Sequence, residues 1–374
     1  MDKVRIGLIG SGFVSSIHAE AFKHLASAQV VAVASPSGGN AERFAIAHGI
    51  PRFYKDFRSL LDDQDVDLVV LGLPNDRHCE TTLQAAQAGK HVVVEKPMAL
   101  NLADCDRMID ACRRAGVILG YAEELCFAPK YVRLKRLVEE GALGRIHLVK
   151  QSEKHDGPHT DWFYDTSRSG GGVTFDMGCH AIEFFRWILA AEPGKKAAIR
   201  SVYAELNTHV HGQKTKGDDE ALLILKFDNG AVGLAENSWT KPGGMDDRAE
   251  VFGTEGQAYA DLLLGNSLRT FSKPGYGYAV EKAGDTTGWS FPVFEEIWNY
   301  GFPQEMAHFV ECVRDGKIPL ERGEDGRAVV EAVMAAYASA ASGRRVELPF
   351  ETDALRPIDL WKPSGDDGIL SLED

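Results

Sequence analysis

Apolar and polar positions follow two different patterns along the chain, and the first runs from residue 4 to about residue 121. Short runs rich in Val, Ile, Leu and Ala alternate there with longer stretches whose apolar residues recur at helical spacing. Strands that alternate with helices are typical of a parallel sheet with crossover helices. The predicted strands are residues 4–9, 30–34, 68–72, 91–95 and 117–121.

Beyond residue 125, after a helix predicted over 129–140, strand-like runs follow one another without helices between them. Asp228-Asn229-Gly230 separates two of these runs and is a hairpin-turn signal, so we predict an antiparallel sheet. The predicted strands are 200–207, 220–227, 232–239, 248–252 and 257–261, followed by helices over 304–314 and 326–342. The change of pattern places a domain boundary near residue 125, and the polar residues 364–374 predict a flexible tail.

Composition excludes several classes of partner. The chain has 374 residues, of which 41 are Lys or Arg and 55 are Asp or Glu, and its formal charge of -14 disfavours nucleic acid and anionic membranes. No signal segment or membrane-length apolar stretch is visible, so we expect a cytoplasmic protein. The six cysteines are scattered, which predicts neither disulfides nor a zinc site, and we expect no metal.

A glycine-rich turn follows the first predicted strand, with the sequence Gly10-Ser11-Gly12-Phe13-Val14-Ser15. The first glycine permits a tight turn, and the second lets the backbone approach a pyrophosphate at the start of the next helix. Ser15 stands where the dinucleotide fingerprint has its third glycine, and serine is still small enough for close packing. The predicted cofactor contacts in this turn are Gly10, Gly12, Phe13 and Val14.

The second predicted strand ends in Ala34-Ser35-Pro36-Ser37. It lacks the carboxylate that usually selects NAD by binding the ribose hydroxyls and repelling a 2′-phosphate. Ser35, Ser37 and Arg43 could bind such a phosphate. The predicted cofactor is therefore NAD or NADP, with NADP slightly favoured.

Two further predicted strands end at the same edge of the sheet, where open α/β sheets bind their ligands. Pro74 and Asn75 follow one of them and are predicted to line the nicotinamide side, while His78 is interpreted as a surface residue. Glu95-Lys96-Pro97 ends the other, which places an ammonium group at the ligand edge. Taken alone, that tripeptide is also compatible with a strand that ends in solvated charge.

A second cluster begins at Gly170-Gly171-Gly172 and contains Asp176 and His180. Three glycines allow the backbone to approach a ligand closely. Residues four apart share one face of a helix, and a carboxylate beside an imidazole fixes its orientation. The cluster therefore predicts an acid/base pair, although the same spacing also occurs in surface helices.

Together, the N-terminal Gly-x-Gly, the Glu95-Lys96-Pro97 strand end and the Gly-Gly-x-x-x-Asp-x-Gly-x-His cluster resemble the Gfo/Idh/MocA family of NAD(P)-dependent oxidoreductases. The resemblance implies an N-terminal Rossmann dinucleotide-binding domain, here residues 1–125. It also implies a C-terminal α/β domain with an open, mostly antiparallel sheet, here 126–363, whose exposed face forms a homodimer or homotetramer.

The resemblance also implies roles for single residues. Lys96 would orient substrate and cofactor, His180 would act as general acid/base, and Asp176 would bind substrate or support the histidine. Glu95 would contact the cofactor together with Lys96. The Lys96–Pro97 bond in such motifs is often cis.

The loop over 155–165 combines aromatic rings with hydrogen-bonding groups, as a carbohydrate ring requires. We predict that His155, His159 and Trp162 line the substrate together with the three catalytic residues, and whether Glu123-Glu124 contribute or are hinge-surface charges stays open. A neutral histidine can remove a hydroxyl proton while a hydride leaves for the nicotinamide, and a lysine stabilises the developing alkoxide.

The predicted activity is therefore a dehydrogenase or reductase acting on a secondary alcohol or ketone of a sugar, cyclitol or glycoside. Two alternatives stay open. One is a redox-neutral glycoside cleavage that uses the nicotinamide transiently. The other is a non-catalytic nucleotide-sensing or scaffold protein.

Overall fold

A computed structural model describes residues 3–36, 38–192, 194–263, 270–274, 287–290 and 296–361, so Ser37 and the predicted tail over 364–374 lie outside the described residues. Six parallel strands form the first sheet. They are β1 (Val4–Ile9), β2 (Ala28–Ala34), β3 (Arg52–Tyr54), β4 (Leu68–Leu71), β5 (His91–Glu95) and β6 (Leu119–Ala122). The helices between them are α1 (Phe13–Lys23), α2 (Gly38–His48), α3 (Phe57–Leu61), α4 (His78–Gln87) and α5 (Leu102–Ala115).

The order of these strands is β3-β2-β1-β4-β5-β6, and every neighbouring pair is parallel. The Rossmann-type sheet predicted from the alternating pattern is confirmed. Strand order reverses between β1 and β4, so the carboxyl ends of these strands flank the crevice in which such sheets bind ligands. Val92, Val93 and Val94 of β5 are completely buried, as a central strand requires.

The second sheet has the order β12-β11-β7-β10-β9-β8-β15, with the β10–β7 pair parallel and its other pairs antiparallel. The predicted open, mostly antiparallel sheet is confirmed. Its strands are β7 (Ile146–Lys154), β8 (Ile199–Asn207), β9 (Glu220–Phe227), β10 (Val232–Ser238), β11 (Asp246–Gly253), β12 (Gln257–Asp261) and β15 (Val346–Glu347). A separate hairpin pairs β13 (Thr270–Ser272) with β14 (Gly288–Ser290).

The other described helices are α6 (Pro129–Glu139), α7 (Thr166–Ser169), α8 (Val173–Asp176), α9 (Gly178–Ile188), α10 (Glu296–Tyr300), α11 (Phe302–Asp315), α12 (Gly323–Ser342) and α13 (Ile358–Trp361). Helix α9 packs on β7 and β10, and α12 contacts both β6 of the first sheet and β8 of the second. Helix α12 therefore connects the two sheets. None of the helices in the described ranges is long and apolar enough to cross a membrane.

Candidate functional site

Lys96 follows β5 at the carboxyl edge of the first sheet and reaches a residue of the second domain. Its bond to Pro97 is cis. Its Nζ donates to the backbone oxygen of Asp176 at 2.9 Å and to Oδ1 of the same residue at 3.0 Å. Burial acts to lower the pKa of Lys96, but the neighbouring acidic groups, Asp176 foremost, together outweigh burial and hold that pKa well above its ordinary value. Lys96 is therefore an ammonium group at neutral pH.

Asp176 is held from two sides. Its second oxygen, Oδ2, accepts a hydrogen bond from Nε1 of Trp239 at 3.2 Å. Burial acts to raise the pKa of Asp176, but the charge and hydrogen bond of Lys96, with smaller contributions from neighbouring groups, reverse this, and the pKa lies below its ordinary value. Because both partners are charged, the Lys96–Asp176 ion pair connects the end of β5 with the segment after the three glycines.

His180 does not share a helix with Asp176, so the predicted Asp–His pair is wrong in its geometry. Helix α8 ends at Asp176 and α9 begins at Gly178, and the helical path is interrupted at Met177. Nδ1 of His180 lies 2.7 Å from Oε1 of Glu123, which is completely buried. The carboxyl partner of the imidazole is therefore Glu123.

The protonation of His180 follows from its burial. The side chain is almost fully buried, and burial lowers its pKa to about 4, so the imidazole is neutral at neutral pH. Burial also raises the pKa of Glu123 well above its usual range. Oε1 of Glu123 can accept the Nδ1 proton whether that carboxyl is ionised or protonated on its other oxygen. We assign the proton to Nδ1 from this contact, which leaves Nε2 with a free lone pair.

Glu123 and Glu124 belong to this site, a role that the sequence had left open. Glu124 is 8% exposed, and its Oε1 lies 3.8 Å from Nε2 of His180. Burial raises the pKa of Glu124 to about 7. The sequence could have indicated this role through their position directly after β6, because neighbouring parallel strands end at the same edge of the sheet.

The glycine turn has the geometry of a dinucleotide cradle. Gly10 has φ +118°, and a Cβ there would lie 2.1 Å from the backbone oxygen of Gly72. A Cβ at Gly12 would meet no atom within 4 Å, and no side chain caps the first turn of α1 after it. Ser15 is buried against Gly72, which shows that a small third residue suffices for close packing. Phe13 and Val14 begin α1.

Ser35 and Arg43, both predicted to select the cofactor, lie in different surroundings. Ser35 is buried at the end of β2 and accepts a hydrogen bond from the hydroxyl of Ser11 at 2.9 Å. Arg43 is exposed on α2 and donates to Asn40. Ser37 lies outside the described residues. Of Ser35 and Arg43, only Ser35 is therefore seen to contact the glycine turn.

Asn75 and His78 contact backbone oxygens of the segments around the site. Asn75, which follows Pro74, donates to the backbone oxygen of Ser169 at 2.8 Å and so contacts the residue before the three glycines. The interpretation of His78 as a surface residue is wrong, because it is completely buried. Its ring nitrogens lie 3.0 Å from the backbone oxygen of Pro97 and 2.9 Å from that of Leu73, which ties the ends of β4 and β5 together.

Glu95 lies behind Lys96. One of its oxygens lies 3.0 Å from Nε2 of His18 on α1, and the other accepts from the backbone N–H of Lys96 at 3.1 Å. Glu95 therefore links the strand end that carries Lys96 to the helix that begins at the glycine turn.

The predicted substrate loop extends from the end of β7. His155 is 5% exposed, and His159 stacks on Phe13 of the glycine turn, with ring centroids 4.1 Å apart. Trp162 stacks on Phe163 at 3.9 Å within the loop itself. The Phe13–His159 contact thus joins the predicted cofactor and substrate segments.

The three glycines are held in place by Asp218. A Cβ at Gly172 would lie 1.9 Å from the backbone oxygen of Asp218. The Asp218 carboxylate accepts from the backbone N–H and the hydroxyl of Thr174 at 2.8 and 2.6 Å, and from the hydroxyl of Tyr337 on α12. This network fixes the segment that positions Asp176.

One group in the described part of the chain has the geometry to hold a metal ion. Atoms of Glu123, Cys179 and His180 lie within 4.8 Å of one another. However, Nδ1 of His180 already contacts Glu123, and Sγ of Cys179 donates to the backbone oxygen of Asp176 at 3.0 Å. Burial also raises the pKa of the Cys179 thiol, so it is not a thiolate. The expectation of a site without metal stays a prediction.

Comparison with known proteins places the chain among dehydrogenases. It is 31% identical to myo-inositol 2-dehydrogenase of Thermotoga maritima over 347 residues, which are 92% of this chain and 98% of the relative. It is 30% identical to scyllo-inositol 2-dehydrogenase (NAD+) of Bacillus subtilis over 349 residues, 92% of this chain and 96% of the relative. The crystal structure of GenD2 from gentamicin A biosynthesis in complex with NAD is 32% identical, with a TM-score of 0.87 over 94% of this chain and 97% of GenD2.

Two family models match the chain. Residues 4–123 match the oxidoreductase family with an NAD-binding Rossmann fold, and residues 131–259 match the GFO/IDH/MocA C-terminal domain. Both matches agree with the sheets described above. The chain therefore belongs to the Gfo/Idh/MocA family of oxidoreductases.

Proposed function

We propose that this protein transfers a hydride between a nicotinamide cofactor and a secondary alcohol or ketone of a sugar, cyclitol or glycoside. The observation that carries the proposal is the convergence of Lys96 and His180, from different domains, on one buried site. The two curated relatives named above act on cyclitols, which supports this class of substrate. Neither redox-neutral cleavage nor a sensor role finds support among them.

The described residues fit a dinucleotide, because Gly12 borders open space beside the uncapped first turn of α1. Gly10, Gly12, Phe13 and Val14 would hold the pyrophosphate, and Pro74 and Asn75 the nicotinamide side. When bound, the nicotinamide accepts or supplies the hydride.

The side chains of this protein supply the proton transfer and the charge. In the oxidising direction, Nε2 of His180 removes the hydroxyl proton, and Glu123 holds the ring by its Nδ1 proton. The ammonium group of Lys96 stabilises the negative charge that develops on the same oxygen. Asp176 positions that ammonium group, and burial of the site strengthens each of these interactions.

A parallel screen tests the proposal. Inositols, other polyols, free sugars and glycosides are incubated with NAD and with NADP, and both the absorbance of the reduced cofactor and the mass of the product are followed. We expect a ketone product two mass units below its substrate, formed together with one reduced cofactor. Aglycone release without net cofactor reduction would overturn the proposal in favour of redox-neutral cleavage.

We further propose that the cofactor site accepts both NAD and NADP, because Ser35 leaves the end of β2 without a carboxylate. Ser35→Asp is expected to raise the Kd of NADP relative to that of NAD by about tenfold or more, through repulsion of the 2′-phosphate. Fluorescence titration of both reduced cofactors measures the ratio. Ser35→Asn is the matched control, and an equal loss of NADP binding in that variant would show that size rather than charge is responsible.

The open face of the second sheet is the surface that we propose for a homodimer or homotetramer. It presents Leu222, 43% exposed, and Tyr259, 64% exposed. Sedimentation equilibrium tests this, and a monomeric mass at micromolar concentration would contradict it. A cytoplasmic location stays a prediction; all six cysteines lie in the described residues and are free thiols, as expected in a reducing compartment.

A further inference from the structure

The proton that His180 removes from a hydroxyl group needs a second acceptor. Nδ1 of His180 contacts Glu123, but burial holds the pKa of Glu123 well above its usual range, so that carboxyl group is protonated at neutral pH. Glu123 can therefore orient the ring but cannot take a further proton. Burial also lowers the pKa of His180 to about 4, so a protonated His180 readily gives its proton up.

Glu124 lies on the opposite side of the imidazole from Glu123. It begins the short 3-10 helix Glu124–Phe127 that follows β6. Its Oε1 lies 3.8 Å from Nε2 of His180, the nitrogen that removes the hydroxyl proton in the proposed reaction. Contacts between catalytic groups are often this long before substrate binds, and they shorten in the complex. A carboxyl oxygen thus lies next to the nitrogen that receives the proton.

Exposure to solvent differs between the two carboxyl neighbours of His180. The side chain of Glu123 is completely buried, whereas that of Glu124 is 11% exposed. Lys96 and Asp176 are also partly exposed, and Glu124 lies close enough to Lys96 to act on it electrostatically. Glu124 therefore borders the open side of the site, where a proton can pass to water.

The ionised carboxylates around this pair are too weakly basic to accept the proton. Burial opposes the ionisation of Asp176 and Glu95, but Lys96 and His18, respectively, hold both pKa values below the ordinary value. Each carboxylate is also already hydrogen-bonded: Asp176 accepts from Lys96, and Glu95 accepts from the backbone N–H of Lys96. Both groups therefore stay ionised while substrate is oxidised at neutral pH.

The remaining carboxyl groups that act electrostatically on Glu124 are those of Glu153 and Glu305. Burial raises the pKa of both well above the usual range, so they already carry a proton at neutral pH. Glu124 differs from them, because burial raises its pKa only to about 7. Among the described acidic groups around His180, Glu124 is thus the one that both takes up and releases a proton near neutral pH.

We propose that Glu124 is the proton acceptor of the oxidation, receiving the hydroxyl proton of the substrate from Nε2 of His180 and releasing it to water. The inference rests on the proposed function, since it assigns a further residue to the same reaction. The O–H bond of the substrate breaks as the Nε2–H bond forms, and the hydride leaves the same carbon for the nicotinamide. The Nε2–H bond then breaks as an O–H bond forms on Glu124, which restores the neutral imidazole.

Glu124→Gln keeps the shape of the side chain but cannot accept the proton. With NAD and myo-inositol, or the polyol that the screen identifies, we expect hydride transfer in a single turnover at pH 7 to slow by about tenfold to a hundredfold. The wild-type rate of oxidation should rise with pH through about 7, because Glu124 must be ionised to accept a proton, and this step should be absent from the variant. Glu80→Gln, at an exposed position of α4, is the control.

Chemical rescue distinguishes a proton acceptor from a structural role. Glu124→Ala removes the carboxyl group beside Nε2, and added acetate can supply another in its place. We expect acetate to raise the single-turnover rate of Glu124→Ala by about tenfold, and chloride at the same ionic strength to leave it unchanged. A slow variant that acetate does not rescue, with cofactor binding intact, would overturn the inference.

Infrared difference spectroscopy without substrate separates this inference from the proposed function. A carboxyl band that titrates near pH 7 in the wild type should be missing from Glu124→Gln, while the band of Asp247, whose pKa burial also raises to about 7, should appear in both. Identical titrations, or a wild-type rate and pH profile in Glu124→Gln, would overturn the role of Glu124 and leave the proposed function intact. Failure of the wild type to oxidise any compound of the screen, although NAD binds, would overturn both.

Discussion

Replacing Lys96 with methionine is expected to lower kcat by about a thousandfold or more while NAD still binds. Methionine has a similar length but no charge, so the alkoxide loses its electrostatic partner. The same change leaves Asp176 as a buried carboxylate without its cation, which costs about 3–5 kcal/mol of stability in comparable cases. Initial rates, together with titration of cofactor binding, measure the catalytic effect.

A second variant separates catalysis from folding. In the double substitution Lys96→Met with Asp176→Asn, no buried charge is left unpaired, and we expect the melting temperature to recover in part while kcat stays low. Lys195→Met, at an exposed lysine that pairs with Glu192, is the matched control. Near-wild-type turnover in the single Lys96 variant would remove Lys96 from the mechanism.

His180→Asn is expected to lower kcat by roughly a hundredfold to ten-thousandfold, the range found for loss of a general base. Asparagine can still contact Glu123 but cannot exchange a proton with the substrate. His147→Asn, at an exposed position of β7, is the control. Binding of cofactor and of an unreactive substrate analogue should be unchanged, and a variant that loses binding but keeps kcat would indicate a structural role instead.

The pH profile gives an independent check on His180. Its depressed pKa of about 4 means that the neutral, basic form persists above that pH and is lost as the pH falls through it. Oxidation should therefore show an acid limb near pH 4, absent from His180→Asn. Glu124, with a pKa of about 7, faces the same nitrogen, so any step near pH 7 should disappear in Glu124→Gln. An acid limb near pH 6.5 that survives Glu124→Gln would show that His180 is not buried as described.

The sequence located the strand ends because local patterns determine them. Alternating apolar runs placed β1, β4 and β5 within about a residue, and the parallel order then brought Gly10, Asn75 and Lys96 to one edge. Local patterns do not determine which side chains contact each other, such as His180 and Glu123. The helix is interrupted at Met177, and the ring of His180 contacts Glu123, which comes from a segment 57 residues away, instead of Asp176.

The interpretation of His78 as a surface residue was wrong, and the role of Glu123 was left open, for the same reason. Both are polar, and polar residues at element ends are exposed more often than buried. What buries them is contact with segments distant in the chain: the backbone of Pro97 for His78, and His180, 57 residues away, for Glu123. A single sequence carries no direct record of such contacts.

The hydroxyl of Tyr337 accepts from the backbone N–H of Gly172, a residue 165 positions earlier in the chain. A shortened protein that stopped before α12 would contain every side chain that we propose for catalysis. It would lack the Tyr337 contact that holds the segment carrying Asp176 and His180. In a chimaera of two such proteins, the Gly170-Gly171-Gly172 segment and α12 should therefore come from the same parent.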